Sequence, residues 1–194
     1  MLLMSRSASG YHHGNLQAAL EDAALDLLET TSAAKISLRE VARRAGVSHN
    51  APYHHFGDRA ALLGALGVRG MADLLAAQEA AAEAADGTVA KVRALGLAYV
   101  RYAAAHPQGF ALVFDPDYCG VDDPSSDMAA LIARNEQLLG GLVTQLVTEP
   151  GFEGRDPMAL SAALWSTVHG MAQLITLGHL PLEAAEPAIH ALVR

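Results

Sequence analysis

The chain has 194 residues, enough for one large or two small domains with a real core, and 52% of them are apolar against 18% charged and 5% aromatic. Its one cysteine, Cys119, excludes an internal disulfide framework and suits a reducing cytoplasm, and no Cys/His spacing for a structural zinc occurs. A net charge of −8 argues against indiscriminate coating of nucleic acid, and the absence of period-two alternation leaves an all-α chain.

Met1 to Gly10 lacks the charged start and small-residue cleavage site of a secretory signal and is expected to be a disordered leader. Tyr11-His12-His13-Gly14 follows. Asn15 is suited to cap a first helix, in which Leu16, Leu20, Ala23, Leu27 and Leu28 recur at helical spacing. Ser37 and Glu40 have the spacing of a capping box, which predicts a helix from Ser37 with Leu38, Val41, Ala42 and Ala45 on one face and a stop at Gly46. Ser48 is placed to cap a second helix, His49 to His55, and Asp58 a third that opens at Arg59. Two short helices joined by a three-residue turn containing Gly form a helix-turn-helix. Pro52 removes a backbone donor near the start of the second helix and predicts that it is tilted or loosened there.

From Asp58 to about Ala85 the pattern reads as one long helix, interrupted or weakened by Gly64, Gly67 and Gly70. Asp86-Gly87-Thr88 makes a turn and a new cap, and Val89, Val92, Leu95, Ala98 or Tyr99, and Tyr102 continue a helical stripe to His106-Pro107. A shorter helix covers about Gln108 to Phe114. Asp115 to Asp127 is a Pro/Gly/Asp/Ser-rich segment; it lacks the closing Glu of a calcium loop and reads as a solvated connection. Asp127 or Ser126 caps a helix to Thr148, Pro157 opens another to about Leu177, and the last runs from about Leu182. Nine helices result, three of them in an N-terminal domain of residues 11–60, the rest in a second domain of residues 61–194. No charged residue lies between Asp156 and Glu183. The polar groups within that stretch and its lack of a basic flank favour a helix buried on two sides, against its own domain and a partner subunit, over a membrane span.

The second helix of the pair offers ring nitrogens, a bidentate amide, a methyl group and a phenol, in His49, Asn50, Ala51, Tyr53, His54 and His55. Such groups meet base edges and phosphates. Residues 1–59 hold six Lys/Arg and six Asp/Glu, whereas the remainder holds seven against fifteen. The acidity therefore lies outside the reading head, whose few fixed cations predict a modest, strongly salt-dependent affinity.

The run GNLQAALEDAALDLLET, followed by ISLREVARRAGVSHNAPYHHFGDR with Tyr53, Phe56 and Asp58-Arg59, resembles the DNA-binding domain of the tetracycline-repressor (TetR) family over Tyr11 to Leu66. Arg59 stands where that family often has Lys, and Pro52 where an apolar residue is usual. The Tyr-His-His-Gly opening resembles one branch of these regulators, and LWSTVHGMAQL, with Trp165, His169 and Gly170, resembles the Trp-His-Gly C-terminal domain of one branch. The resemblance implies a cytoplasmic, homodimeric, ligand-responsive regulator, a repressor, that binds a roughly palindromic double-stranded DNA operator with half-sites about one helical turn or somewhat more apart. It implies no enzyme activity, cofactor, metal or membrane. The DNA contacts it implies are Ser37, Arg39, Ser48, His49, Asn50, Ala51, Tyr53, His54, His55 and Arg59. Tyr53 and Arg59 are assigned to phosphates, and His49, Asn50 and Ala51 to bases. The last two helices would pair with their copies as a four-helix bundle, with Leu174, Ile175, Leu177, Leu182, Ile189 and Leu192 as contacts.

A small, largely apolar effector is expected in the C-terminal core, among Tyr99, Tyr102, Phe110, Phe114, Met128, Trp165, His169 and Met171. It would favour the conformation whose heads are too far apart for DNA. Each of these residues also has a plain reading as core packing, and Trp165 in particular reads as an aromatic at the head of the bundle. His169 either satisfies a buried hydrogen bond or anchors an apolar pocket, and Gly170 beside it permits close approach of a backbone or ligand. No nucleophile elbow, H-E-x-x-H or phosphate-binding Gly loop is present. The rival function is a ligand-binding helical protein or an enzyme with a degenerate DNA-binding head.

Overall fold

A computed structural model describes residues 16–119 and 124–194. The expected leader, the Tyr-His-His-Gly segment and the Asn15 cap lie outside the described residues. Among the described residues there are nine α-helices, three 3-10 turns and no strand. They fall into two compact units, divided between Leu62 and Leu63.

The first unit holds α1 (Leu16–Leu28), α2 (Leu38–Arg44), a 3-10 turn at Ala51–His54 and the first residues of α3 (Arg59–Ala84). The Ser37 hydroxyl accepts the Glu40 N–H at 3.2 Å, so α2 starts where its cap predicts. The reciprocal half of the capping box differs, because the Glu40 carboxylate is drawn to the Arg43 guanidinium instead. At the other end Gly46 takes φ +69°, and the Val47 and Gly46 N–H groups donate to the carbonyls of Ala42 (3.0 Å) and Arg43 (3.3 Å). Those two bonds are a Schellman closure. Leu20, Ala24, Val41, Phe56 and Leu62 form the buried centre.

The predicted second helix, His49 to His55, is a correction. Only Ala51–His54 is helical, and it is 3-10. Pro52 has no N–H to give the Ser48 carbonyl. The chain tightens instead, with Ala51 N–H donating to Ser48 (3.0 Å) and Tyr53 N–H to Asn50 (3.2 Å), three residues back in each case. Ser48 therefore contributes its carbonyl here, and Asn50 stands before the turn without a side-chain cap.

The second unit holds the rest of α3, then α4 (Thr88–Ala105), α5 (Pro107–Val113), α6 (Pro116–Cys119), α7 (Ser126–Leu146), α8 (Pro157–Thr176) and α9 (Ala185–Leu192). α4 packs against α7, α8 and α9. Ser125, one residue before the expected caps, accepts the Met128 N–H, and Asp156 caps α8 by accepting the Ala159 N–H at 2.7 Å. α6 falls where the composition predicts only loop; Asp115 starts it by accepting the Asp117 N–H at 2.9 Å, with Pro116 at the first helical position. One apolar cluster surrounds Tyr99, Val100, Phe110, Met128 and Met171, and a second surrounds Leu95, Val143, Leu146, Phe152 and Leu160.

α3 runs unbroken through Gly64, Gly67 and Gly70. Its glycines mark close approach rather than weakness: a Cβ on Gly67 would lie 2.3 Å from Cys119 Sγ and 3.2 Å from the Leu112 carbonyl, and one on Gly70 3.1 Å from Val113 Cγ2. The α5–α6 segment fits against that smooth face. By length and composition α3, not α8, is the helix apolar enough to cross a bilayer among the described residues. Leu63, Leu66, Leu74 and Leu75 on it are all buried within the protein.

Candidate nucleic-acid interface and effector core

In the first unit the chain brings Arg39, from the exposed side of α2, together with His49, Asn50 and Tyr53 from the turn and the 3-10 segment. The four line one open depression of about 620 Å³. Tyr53 is half exposed despite its ring, and Ser48, His54 and His55 stand exposed in the same stretch. An apolar-bodied phenol, an amide, an imidazole and a guanidinium gathered on one solvated surface are of the chemical types that read and hold a duplex.

Two of the expected contacts are committed elsewhere. The Ser37 hydroxyl caps α2. Arg59 is expected on a phosphate, but its Nε donates to the Ile36 carbonyl at 2.9 Å and its Nη2 to the Ala33 carbonyl at 2.6 Å, so the fork ties the loop before α2 to the start of α3. The cation balance of this unit is thinner than the count of its arginines. Arg43 pairs with Glu40, which holds the carboxyl below its ordinary range, and Arg44 pairs with Asp26 at 3.0 Å.

In the second unit most of the expected effector residues gather around one apolar cluster. Tyr99, Phe110, Phe114 and His169 form a close aromatic knot, with ring centroids 5.4 Å apart for Tyr99–Phe110 and 4.7 Å for Phe114–His169. Tyr99 Oη lies 2.7 Å from His169 Nδ1. Burial raises the Tyr99 phenol and lowers the His169 imidazole, so the neutral forms persist and the hydroxyl can donate to the ring nitrogen. His169 thus satisfies a part-buried hydrogen bond, close to one of its two expected roles. Met128 and Met171 are buried in the same cluster, and Tyr102 packs at its edge, beside His106, with its phenol pushed up to about 12 by burial and by Asp73.

Trp165 is a correction. The sequence predicts a core aromatic, yet it is 46% exposed, its ring 5.9 Å from that of His169. Gly170 likewise touches nothing that a Cβ would meet, so no close approach occurs there within the chain. A cavity of about 30 Å³ lies beside the knot, lined by Tyr99 and Trp165 of the expected residues and by Gln78 and Asn135, which the sequence reading missed. Gln78 falls in the spacing Met71, Leu74, Leu75, Gln78, Ala82, one continuous buried stripe on α3. That register was the signal for a buried amide.

The outward side of α8 carries Ala159, Ala163, Ser166 and Gly170, all exposed, with Met158 and Trp165 on one flank and Leu174 and Leu177 toward the other. Small side chains without charge admit close approach of another helix.

Residues 20–66 match the family described as bacterial regulatory proteins, tetR family, and residues 92–194 match the tetracyclin repressor-like, C-terminal domain. No curated protein matches the chain. A solved structure of a protein with unknown function from Rhodococcus sp. RHA1 is similar, with 34% identity over 96% of this chain and 97% of that one and a TM-score of 0.81. The TetR family transcriptional regulator PfmR from Thermus thermophilus shares 25% identity over 91% of this chain and 94% of that one, with a TM-score of 0.67. The fold alone is shared with FadR from Bacillus subtilis, solved in complex with stearoyl-CoA, at 15% identity over 91% and 97% of the two chains and a TM-score of 0.69. With the C-terminal match spanning more than half of the residues and the helix-turn-helix match falling on the surface that gathers Arg39, His49, Asn50 and Tyr53, the chain belongs to the TetR family of transcriptional regulators.

Proposed function

We propose that this regulator is a cytoplasmic, non-enzymatic, ligand-responsive repressor that acts as a homodimer on a palindromic operator. The observation that carries the reading is the open depression made by Arg39, His49, Asn50 and Tyr53. On this surface and beside it, His49, Asn50 and Ala51 meet bases, Tyr53 and Arg39 hold phosphates, and Ser48, His54 and His55 add backbone contacts. Dimerisation runs through α8 and α9, supported by the uncharged small-residue side of α8. The Trp-His-Gly helix belongs to the effector-binding body of residues 61–194, whose polar handles are Tyr99 and His169 beside Trp165; Tyr102, Phe110, Phe114, Met128 and Met171 shape its apolar wall. A near-complete release of DNA requires the effector to favour the non-binding state by about 5 kcal/mol.

Fluorescence anisotropy with the DNA upstream of the protein's own gene and a scrambled control, at two salt concentrations, tests the reading. The upstream DNA is expected to bind tighter, with both affinities falling steeply with salt. Asn50→Ala should flatten the preference at one base pair at a cost of about 1–3 kcal/mol. Equal affinity for both DNAs would sink the specific-repressor reading.

A further inference from the structure

Gln78 has no part in reading DNA or in joining subunits. It is 3% exposed on α3, and its Oε1 is buried without a hydrogen-bond partner. A buried amide oxygen left unpaired is unfavourable, and a leucine at the same place in the stripe would avoid that cost. The side chain faces the cavity of about 30 Å³ described above, whose floor includes Leu95, Tyr99 and Leu164 and whose rim includes Asn135 and Trp165. Floor and rim differ in freedom: Leu95, Tyr99 and Leu164 are at most 6% exposed, whereas Trp165 is 46% exposed. The space as it stands holds about one water. A larger guest enters by displacing the rim, not by opening the core.

We propose that this cavity is a binding site for a compact, uncharged, mainly apolar molecule bearing one hydroxyl, and that the hydroxyl pairs with the Gln78 amide. The proposal rests on the reading of the second unit as an effector-binding body. No charged side chain lines the cavity, so an ionised guest would lose its hydration without a counter-charge. A hydroxyl both donates and accepts, and therefore meets the amide whichever of its two ends turns toward the guest. Half-buried Asn135 on the rim offers the second polar contact.

Calorimetric titration of the full chain with benzyl alcohol, toluene and benzoate tests this. Benzyl alcohol is expected to bind at least about tenfold tighter than toluene, and benzoate not at all. In Gln78→Leu the two neutral compounds should bind within about twofold of each other, with toluene unchanged from wild type as the evidence of an intact fold. Gln78→Met serves the same purpose should the leucine variant misfold. No binding of either neutral compound, equal binding in the wild type, or a hydroxyl preference that survives in both variants overturns the proposal. Adding the same compounds to the operator complex separates the two levels. DNA release by a compound indifferent to Gln78 removes this site and keeps the ligand-responsive reading; Gln78-dependent binding that leaves DNA bound does the reverse.

Discussion

Gly46 and Gly67 both resist a methyl group, for different reasons. At Gly46 nothing lies within 4 Å of the added carbon, but φ is +69°, so the cost of Gly46→Ala is purely conformational and should be about 1 kcal/mol. At Gly67 the backbone is ordinary helix and the obstacle is Cys119 Sγ at 2.3 Å with the Leu112 carbonyl behind it. Gly67→Ala should cost about 1–3 kcal/mol in urea melts, and adding Cys119→Ala should recover part of it, whereas Cys119→Ala should do nothing for Gly46→Ala. Equal rescue of both would remove the steric explanation. Buried titrating residues of the second unit bound the pH range of stability. The folded-state value of His169 lies below the ordinary 6.5, so the unfolded chain binds the proton more readily, and stability is full above that value and declines as pH falls through it. Tyr102 is raised from 10.0 to about 12, so the unfolded chain loses its proton first and stability declines as pH climbs between those values. The buried Cys119 thiol is raised from 9.0 and so begins the alkaline decline earlier, and urea midpoints measured across pH should form a plateau from about 6.5 to 9, whose acid side His169→Gln should flatten.

At the scale of elements, the start of α3 is fixed twice. Asp58 caps it by accepting the Ala61 N–H at 2.8 Å, and Arg59 ties it to the carbonyls of Ala33 and Ile36. Arg59→Ala should lower the stability of the first unit by about 1–3 kcal/mol, because a charge-assisted fork is lost and two carbonyls are left to water. DNA affinity should fall alike for all sequences. A normal melt with weakened binding would instead place Arg59 on a phosphate. The same elements show what the sequence could and could not reveal. The caps at Ser37 and Asp58, the helix start at Pro157 and the stop at Gly46 are local chemistry, legible within a few residues. Whether His49 to His55 forms an α-helix or a single 3-10 turn is decided by one missing donor at Pro52, and the apolar period of so short a segment does not distinguish the two. α6 was hidden by its turn-rich composition. The glycines of α3 looked like weak points because propensity sees their local cost, while their partners lie more than forty residues further on. Arg59 looked like a free cation for the same reason, since the carbonyls it serves precede it by more than twenty residues. The depression around Asn50 was legible because its residues are close in sequence. The cavity at Gln78 was not, because it gathers α3, α4, α7, α8 and α9.

For the whole molecule the telling feature is the uncharged side of α8. Leu174 and Leu177 are 43% and 68% exposed in a single chain, and no charge occurs between Asp156 and Glu183 to keep that surface in water. Such a patch calls for a partner, and a second copy joined about a two-fold axis presents the same surface in return. Leu177→Glu should shift the protein from dimer to monomer in sedimentation experiments without lowering helicity, since the side chain leaves no hole in the core. Operator affinity should fall with it, because a single head reads only half of the proposed palindromic operator. A dimer that persists with full operator affinity would move the interface elsewhere.

Trp165 is the only tryptophan of the chain, and it stands at once on the cavity rim, beside the His169 ring, and on the flank of the α8 surface. Excited at the red edge of the absorption band, where the tyrosines contribute little, the protein emits from that one indole. Covering it with a second subunit or a guest moves its emission to shorter wavelength, and protonating the adjacent imidazole quenches it. That indole is a label-free optical reporter of acidity, and one with which to test the proposed association and occupancy.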